Sequence, residues 1–230
     1  MDSLTAPLLI FDMDGVLVDV TESYRETIAA TIEHYTGARP TNEQIQQFKN
    51  RGGFNDDWRL THHIVTGVGI EVAFEDVKAH FQRLFLGANG ADGLILREKW
   101  IARPGTLEKL GEQFRFAVFT GRPRTEADIT LRRFAPNFTF HPIVAMEDVV
   151  EPKPAPEGLL RIAAVNPDSK LIYVGDSIDD ARAARAADMP FIGIAAPSNP
   201  TYLDLVFLFQ AEHACAIVDD INYLHEVFAP

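Results

Sequence analysis

Leu8-Leu9-Ile10-Phe11-Asp12-Met13-Asp14-Gly15 is the most informative stretch of the chain. An apolar run, LLIF, breaks off into two acids and a glycine. A short apolar run without alternation fits a strand buried on both faces, as in a parallel sheet covered by helices. The same form recurs at Phe116–Phe119 (FAVF), Leu171–Val174 (LIYV) and Phe191–Ile194 (FIGI), with a shorter run at Ile143–Ala145 and an edge-strand candidate at Cys215–Val218. Helix candidates lie between them at Leu107–Gln113, Thr125–Phe134, Pro156–Ala164, Ile178–Ala187 and Asp219–Phe228. This alternation predicts an α/β fold, a doubly wound (Rossmann-like) parallel sheet.

The interval between the first and second strands is too long for one crossover and reads as helices. Tyr24, Ile28, Ile32 and Tyr35 recur at helical spacing, as do Phe74, Val77, Phe81 and Leu84. Thr41-x-x-Gln44 fits a capping box opening a helix through about Lys49, and a further helix follows Asn55. Gly87–Gly93 reads as a loop. The predicted organisation is an α/β core of residues 1–19 and 99–230, with residues 20–98 as an inserted helical module of about four helices. Two linkers at one place make a hinge.

Composition narrows the function classes. Of 230 residues 47% are apolar, enough for a substantial core. The net charge of −12 argues against nucleic acid as a partner, because backbone binding needs basic stripes. No window approaches a membrane span, and the start lacks the basic region of a signal peptide. The single cysteine, Cys215, rules out an internal disulfide and is expected as a small buried hydrophobe. A reducing compartment, the cytosol, is the expectation. Nothing in the sequence specifies an oligomeric state.

Ligands of open α/β sheets bind beyond the carboxyl ends of the strands. Three apolar runs end there in polar groups: LLIF in Asp12-Met13-Asp14, FAVF in Thr120-Gly121-Arg122, and LIYV in Gly175-Asp176-Ser177-Ile178-Asp179-Asp180. Lys153-Pro154 precedes a helix after the Ile143 run. Crowded carboxylates repel one another and need a cation, and all-oxygen ligands favour Mg²⁺. A phosphate ester repels an anionic nucleophile, which Mg²⁺ and Lys153 would offset. Asp12 would then attack phosphorus, with Asp14 as general acid and base and Thr120 with nearby backbone N–H groups holding phosphoryl oxygens. Each piece alone is common at turns. The ordered conjunction discriminates.

That ordered set, FDMDGVL, TGR, KP and GDSIDD, resembles the four motifs of the haloacid dehalogenase-like hydrolase superfamily. The helical insert resembles the α-helical cap of its phosphoglycolate phosphatase-like members. The resemblance implies Asp12 as nucleophile, Asp14 as general acid/base, and Thr120 and Lys153 as phosphoryl ligands. It implies Mg²⁺ on Asp12, the Asp14 backbone carbonyl and Asp176, with Asp180 orienting Lys153 or metal waters. Asp14 favours phosphate-ester chemistry over the superfamily's dehalogenases and phosphonate hydrolases, which lack it. Sugar phosphomutases of this group carry a His where this chain has Tyr24. A mutase or phosphotransferase, and a non-enzymatic receiver whose aspartate is merely phosphorylated, are the alternatives.

The expected substrate is a small phosphorylated metabolite. In capped members the cap supplies specificity, and Lys49–Trp58 is the best candidate segment here. Arg51 is the candidate for an acidic group of the substrate, with Arg122 and Gly121 beside Thr120. Trp58 reads as cap core ahead of packing on a substrate ring, and Arg25 reads as a solvated charge ahead of a cleft contact. His62-His63 point apart on a helix and are poorly placed for one ion.

Overall fold

The computed structural model describes residues 6–88 and 92–228. In chain order the elements are β1 (Leu8–Phe11), β2 (Val18–Asp19), α1 (Tyr24–Thr36), α2 (Asn42–Arg51), α3 (Asp57–Gly67), α4 (Phe74–Leu86), β3 (Lys99–Trp100), α5 (Thr106–Gly111) and β4 (Arg115–Phe119). There follow α6 (Arg124–Phe134), β5 (Phe140–Val144), α7 (Glu157–Ala164), β6 (Leu171–Gly175), α8 (Ile178–Ala186), β7 (Phe191–Ile194), α9 (Tyr202–Ala211), β8 (Ala216–Val218) and α10 (Leu224–Val227). The chain divides into two compact units, one of residues up to Val18 and from Trp100 onward, the other Asp19–Lys99. The short strands β2 and β3 pair with each other at the two crossings.

The first unit is built on a six-stranded parallel sheet in the order β5-β4-β1-β6-β7-β8. β1 is central because all four of its residues are apolar and fully buried. It pairs with β4 through Phe11↔Val118 and with β6 through Phe11↔Val174, which brings three carboxyl ends to one level. Leu8 and Ile10 pack with Phe119, Leu159, Ile162, Tyr173 and Ile178 in the main core cluster. On its other face Phe11 meets Phe116 edge-on at 5.6 Å.

Several expected boundaries shift for local reasons. β5 begins at Phe140, ahead of the expected Ile143, and contains Pro142. It lies at the sheet edge, where a residue without an N–H is tolerated. The apolar run Tyr202–Phe209 belongs to a helix that periodicity does not reveal, because Leu203 and Phe207 are exposed while Leu205 and Phe209 are buried. The expected helix at 219–228 is a 3₁₀ turn, Ile221–Tyr223, followed by α10, since the Asp220 side chain caps the Asn222 amide. Cys215 is exposed rather than buried, because it lies just ahead of the edge strand β8.

Among its described residues the second unit holds four α-helices and the 3₁₀ turn Leu94–Arg97. α2 begins with the expected box: the Gln44 amide donates to Thr41 Oγ1 at 3.2 Å and the Thr41 amide to Gln44 Oε1 at 2.8 Å. Asp56 caps α3 through the Trp58 and Arg59 amides. The core of this unit includes Tyr24, Ile28, Ile32, Val77, Phe81 and Phe85. Trp58 is buried within it, with Lys78 Nζ 4.2 Å from the ring centroid. Of the Gly87–Gly93 loop, residues 89–91 lie outside the described residues.

Candidate active site

β1 hands its last ladder bond to the first acid: the Asp12 amide donates to the Val174 carbonyl at 2.8 Å. The next amide, of Met13, donates to Asp12 Oδ1 at 2.7 Å and so orients the carboxylate locally. Asp12 is 6% exposed. Lys153 Nζ approaches the same oxygen at 3.1 Å from the loop ahead of α7.

Lys153 is itself buried and shared. Its Nζ lies 2.7 Å from Asp180 Oδ1 and donates to the Tyr173 hydroxyl at 3.0 Å. Asp180 takes four donors: Lys153 and Tyr173 Oη (2.6 Å) on Oδ1, and the Ser177 amide (3.0 Å) and hydroxyl (2.6 Å) on Oδ2. Ser177 and Asp180 form the capping box that opens α8, so the helix start and the Lys153 anchor are one structure.

Electrostatics follows from this unequal sharing. Burial works against the Asp180 charge, but Lys153 and the bonds from Lys153, Ser177 and Tyr173 outweigh it and hold the carboxyl below the ordinary aspartate value. Burial also opposes the Lys153 charge, and Asp12 and Asp180 together overcome it, raising the ammonium above the usual lysine value. Burial, then the Asp180 charge, keep the Tyr173 hydroxyl protonated and a donor. Asp12 is left under-compensated. Burial raises it well above the carboxylate range, Lys153 opposes this, and the charges of Asp180, Asp14 and Asp176 add to it.

Asp176 follows β6 and is half-buried. Oxygens of Asp12, Asp176 and Asp180 lie within 4.8 Å of one another, a cluster placed to share a cation. Gly15 makes room for it. At φ +72° it adopts a left-handed conformation, and a Cβ there would lie 1.9 Å from Asp176 Oδ2.

Around the rim, Thr120 is buried and its Oγ1 accepts the Arg122 amide at 3.2 Å. Gly121 between them is half-buried. The Arg122 guanidinium, expected at the substrate, is turned to Asp14 Oδ1 (Nε 2.6 Å, Nη2 2.5 Å) and to Thr130 Oγ1 (2.9 Å). Arg51 belongs to the helical unit. It is exposed at the end of α2, its guanidinium carbon 4.7 Å from the Phe48 ring centroid.

Asp12, Asp176, Asp180 and Lys153 therefore converge, with Asp14, Arg122 and Thr120 linked beside them. Sequence reasoning missed Tyr173 and Ser177, and the pairing of Arg122 with Asp14. The signal for Tyr173 was a hydroxyl inside an otherwise apolar strand, LIYV. For Ser177 it was the S-x-x-D spacing at a helix start.

Comparison with known proteins identifies the family. The model of the haloacid dehalogenase-like hydrolases matches residues 7–188. Imidazoleglycerol-phosphate dehydratase of Phytophthora nicotianae is 34% identical over 199 residues, covering 83% of this chain but 44% of that protein. The chain thus spans less than half the length of that relative. Phosphoglycolate phosphatase of Psychrobacter arcticus is 27% identical over 196 residues, 82% of this chain and 83% of the relative. The fold is shared with a haloacid dehalogenase-like hydrolase from Bacteroides fragilis at a TM-score of 0.76 and 22% identity, covering 96% of this chain and all (100%) of that one. With the matched model running from the start of the central strand to the end of α8, the chain belongs to the haloacid dehalogenase-like hydrolase family.

Proposed function

We propose that this phosphatase hydrolyses phosphate monoesters of small metabolites with Mg²⁺, passing the phosphoryl group through Asp12. The observation that carries the reading is the buried Asp12 carboxylate, paired with Lys153 and clustered with Asp176 and Asp180 at the carboxyl end of the central strand. The donor set fits the ion. It is all-oxygen, its acids Asp12, Asp176 and Asp180 gather within 4.8 Å beside Lys153, and Gly15 leaves space at Asp176. Asp12, Asp176 and the Asp14 carbonyl would hold Mg²⁺, which would supply positive charge against the phosphoryl oxygens. Asp180, its oxygens taken by four donors, orients Lys153.

The chain's own groups divide the work. Asp12, oriented by the Met13 amide, attacks phosphorus and becomes an aspartyl-phosphate. Lys153 holds a fixed positive charge beside the attacking oxygen. Thr120, with the N–H group at Gly121, binds phosphoryl oxygens. Asp14 gives a proton to the leaving oxygen and takes one from the water that releases phosphate. Residues 20–98 act as a cap domain, with Arg51 offered to an acidic group of the substrate. The setting is the cytosol, and among the described residues no helix is long and apolar enough to cross a membrane.

Transfer to a sugar hydroxyl is the second reading, and Tyr24 weighs against it. Its ring is buried 4.1 Å from the Phe85 ring within the helical unit's core, at the position where the resemblance gives sugar phosphomutases a histidine. The test is phosphate release from a metabolite panel with Mg²⁺, including phosphoglycolate and an imidazole-bearing phosphate ester. Wild type should release phosphate from at least one, and Asp12→Asn from none. Turnover by Asp12→Asn at the wild-type rate removes the nucleophile, and isomerised ester without free phosphate replaces hydrolysis by transfer.

A further inference from the structure

Asp14 is not left to find its own orientation. One oxygen, Oδ1, accepts the hydrogen bond of Arg122 Nε at 2.6 Å, with Nη2 in ion-pair contact at 2.5 Å. The side chain of Arg122 is 1% exposed against 29% for Asp14, so the fork reaches outward from the interior. The guanidinium is fixed at its far end, where Nη1 donates to Thr130 Oγ1 at 2.9 Å on α6, and Thr130 is fully buried. Its backbone is fixed as well. The Arg122 amide donates to Thr120 Oγ1, and its carbonyl accepts the Met146 amide at 2.9 Å. A planar guanidinium held at several points has few ways to move, and it keeps its charge at every working pH.

We infer that Arg122 is a positioning residue, which occupies Asp14 Oδ1 and thereby presents Oδ2 to the leaving-group oxygen. The inference rests on the proposed phosphatase reading and adds to it how Asp14 is aimed. In the first step the Asp12 oxygen bonds to phosphorus, the phosphorus–ester oxygen bond breaks, and the Oδ2 proton passes to that ester oxygen. In the second, water attacks phosphorus, its proton returns to Oδ2, and the bond from Asp12 to phosphorus breaks. Arg122 donates no proton in either step and faces the charge that Asp14 acquires in the first.

Leaving-group dependence separates aiming from mere support of the fold. An aryl phosphate expels an oxide that is stable without a proton, whereas an alkyl phosphate needs one. Misplacing a proton donor by about 1 Å costs roughly 100-fold. Arg122→Lys should therefore lower kcat on an alkyl phosphate by roughly 100-fold and on an aryl phosphate by less than about 5-fold, with KM values within about 3-fold. Thr130→Val, which removes the anchor and touches neither Asp14 nor phosphate, should shift the same ratio in the same direction by about 10-fold.

Both esters are assayed with the full chain and Mg²⁺, with thermal unfolding as the check on folding. Equal losses on both esters in a folded Arg122→Lys protein overturn the inference alone. If that variant does not fold, an unchanged alkyl-to-aryl ratio in Thr130→Val overturns it. A wild type that cleaves neither ester removes the phosphatase reading and this inference with it.

Discussion

A single ammonium serves two buried acids at the heart of the site, and its removal shows what it holds together. Lys153→Met keeps the volume but leaves Asp12 and Asp180 buried without their cation. Breaking a buried ion pair from one side costs about 3–5 kcal/mol. That loss should appear as a lowered urea midpoint at neutral pH, with phosphate release abolished. The acids and Lys153 were legible in the sequence, because turn chemistry after an apolar run places them along the chain. Tyr173 was not, since nothing local says which of the four residues of LIYV faces Lys153. Nor was the Arg122–Asp14 pair, which joins positions 108 apart through sheet order alone.

Among elements, α7 sits close against the sheet. Gly158 in its first turn lies against Phe119, and a Cβ there would fall 2.1 Å from the ring carbon Cε2. Gly158→Ala gains helix propensity yet overpacks the core beneath the site, and should destabilise by about 1–3 kcal/mol in chemical denaturation. In the helical unit, α1 and α4 meet through His34 and His80, stacked at 4.0 Å, with Tyr35 edge-on to both and Arg83 Nη2 3.4 Å from His80. Burial first, then the His34 and Arg83 charges, lower His80 below the ordinary histidine value. The unfolded chain therefore takes up this proton at a higher pH than the folded one. Stability is whole above the ordinary histidine range and declines as pH falls through it. The urea midpoint should drop between pH 7.5 and pH 5.5, and His80→Phe should flatten that slope. Both helices were legible from their spacing. α9 was not, because an almost wholly apolar helix on the surface carries no periodicity to read.

At the level of the whole molecule, a chain of net charge −12 gathers several of its acids at one sheet edge. An ion that binds only the folded form stabilises it by mass action, about 2.7 kcal/mol at a hundred times its dissociation constant. Adding Mg²⁺ should raise the thermal midpoint and EDTA should lower it again. Asp176→Asn should lose most of that response while folding normally without the ion. Sheet class and strand identity were readable from apolar runs, whereas the order that places β1 between β4 and β6 comes only from the packed whole.

That central placement has a kinetic consequence. The Asp12 amide is tied to Val174 in the middle of six strands, with two strands beyond β1 on one side and three on the other. Fraying of β5 or β8 does not reach it, so deuterium enters this position only when the entire sheet opens. In an exchange time course the peptide spanning Ile10–Asp12 should be among the last to gain mass, and the chemistry should survive any excursion that leaves it unlabelled.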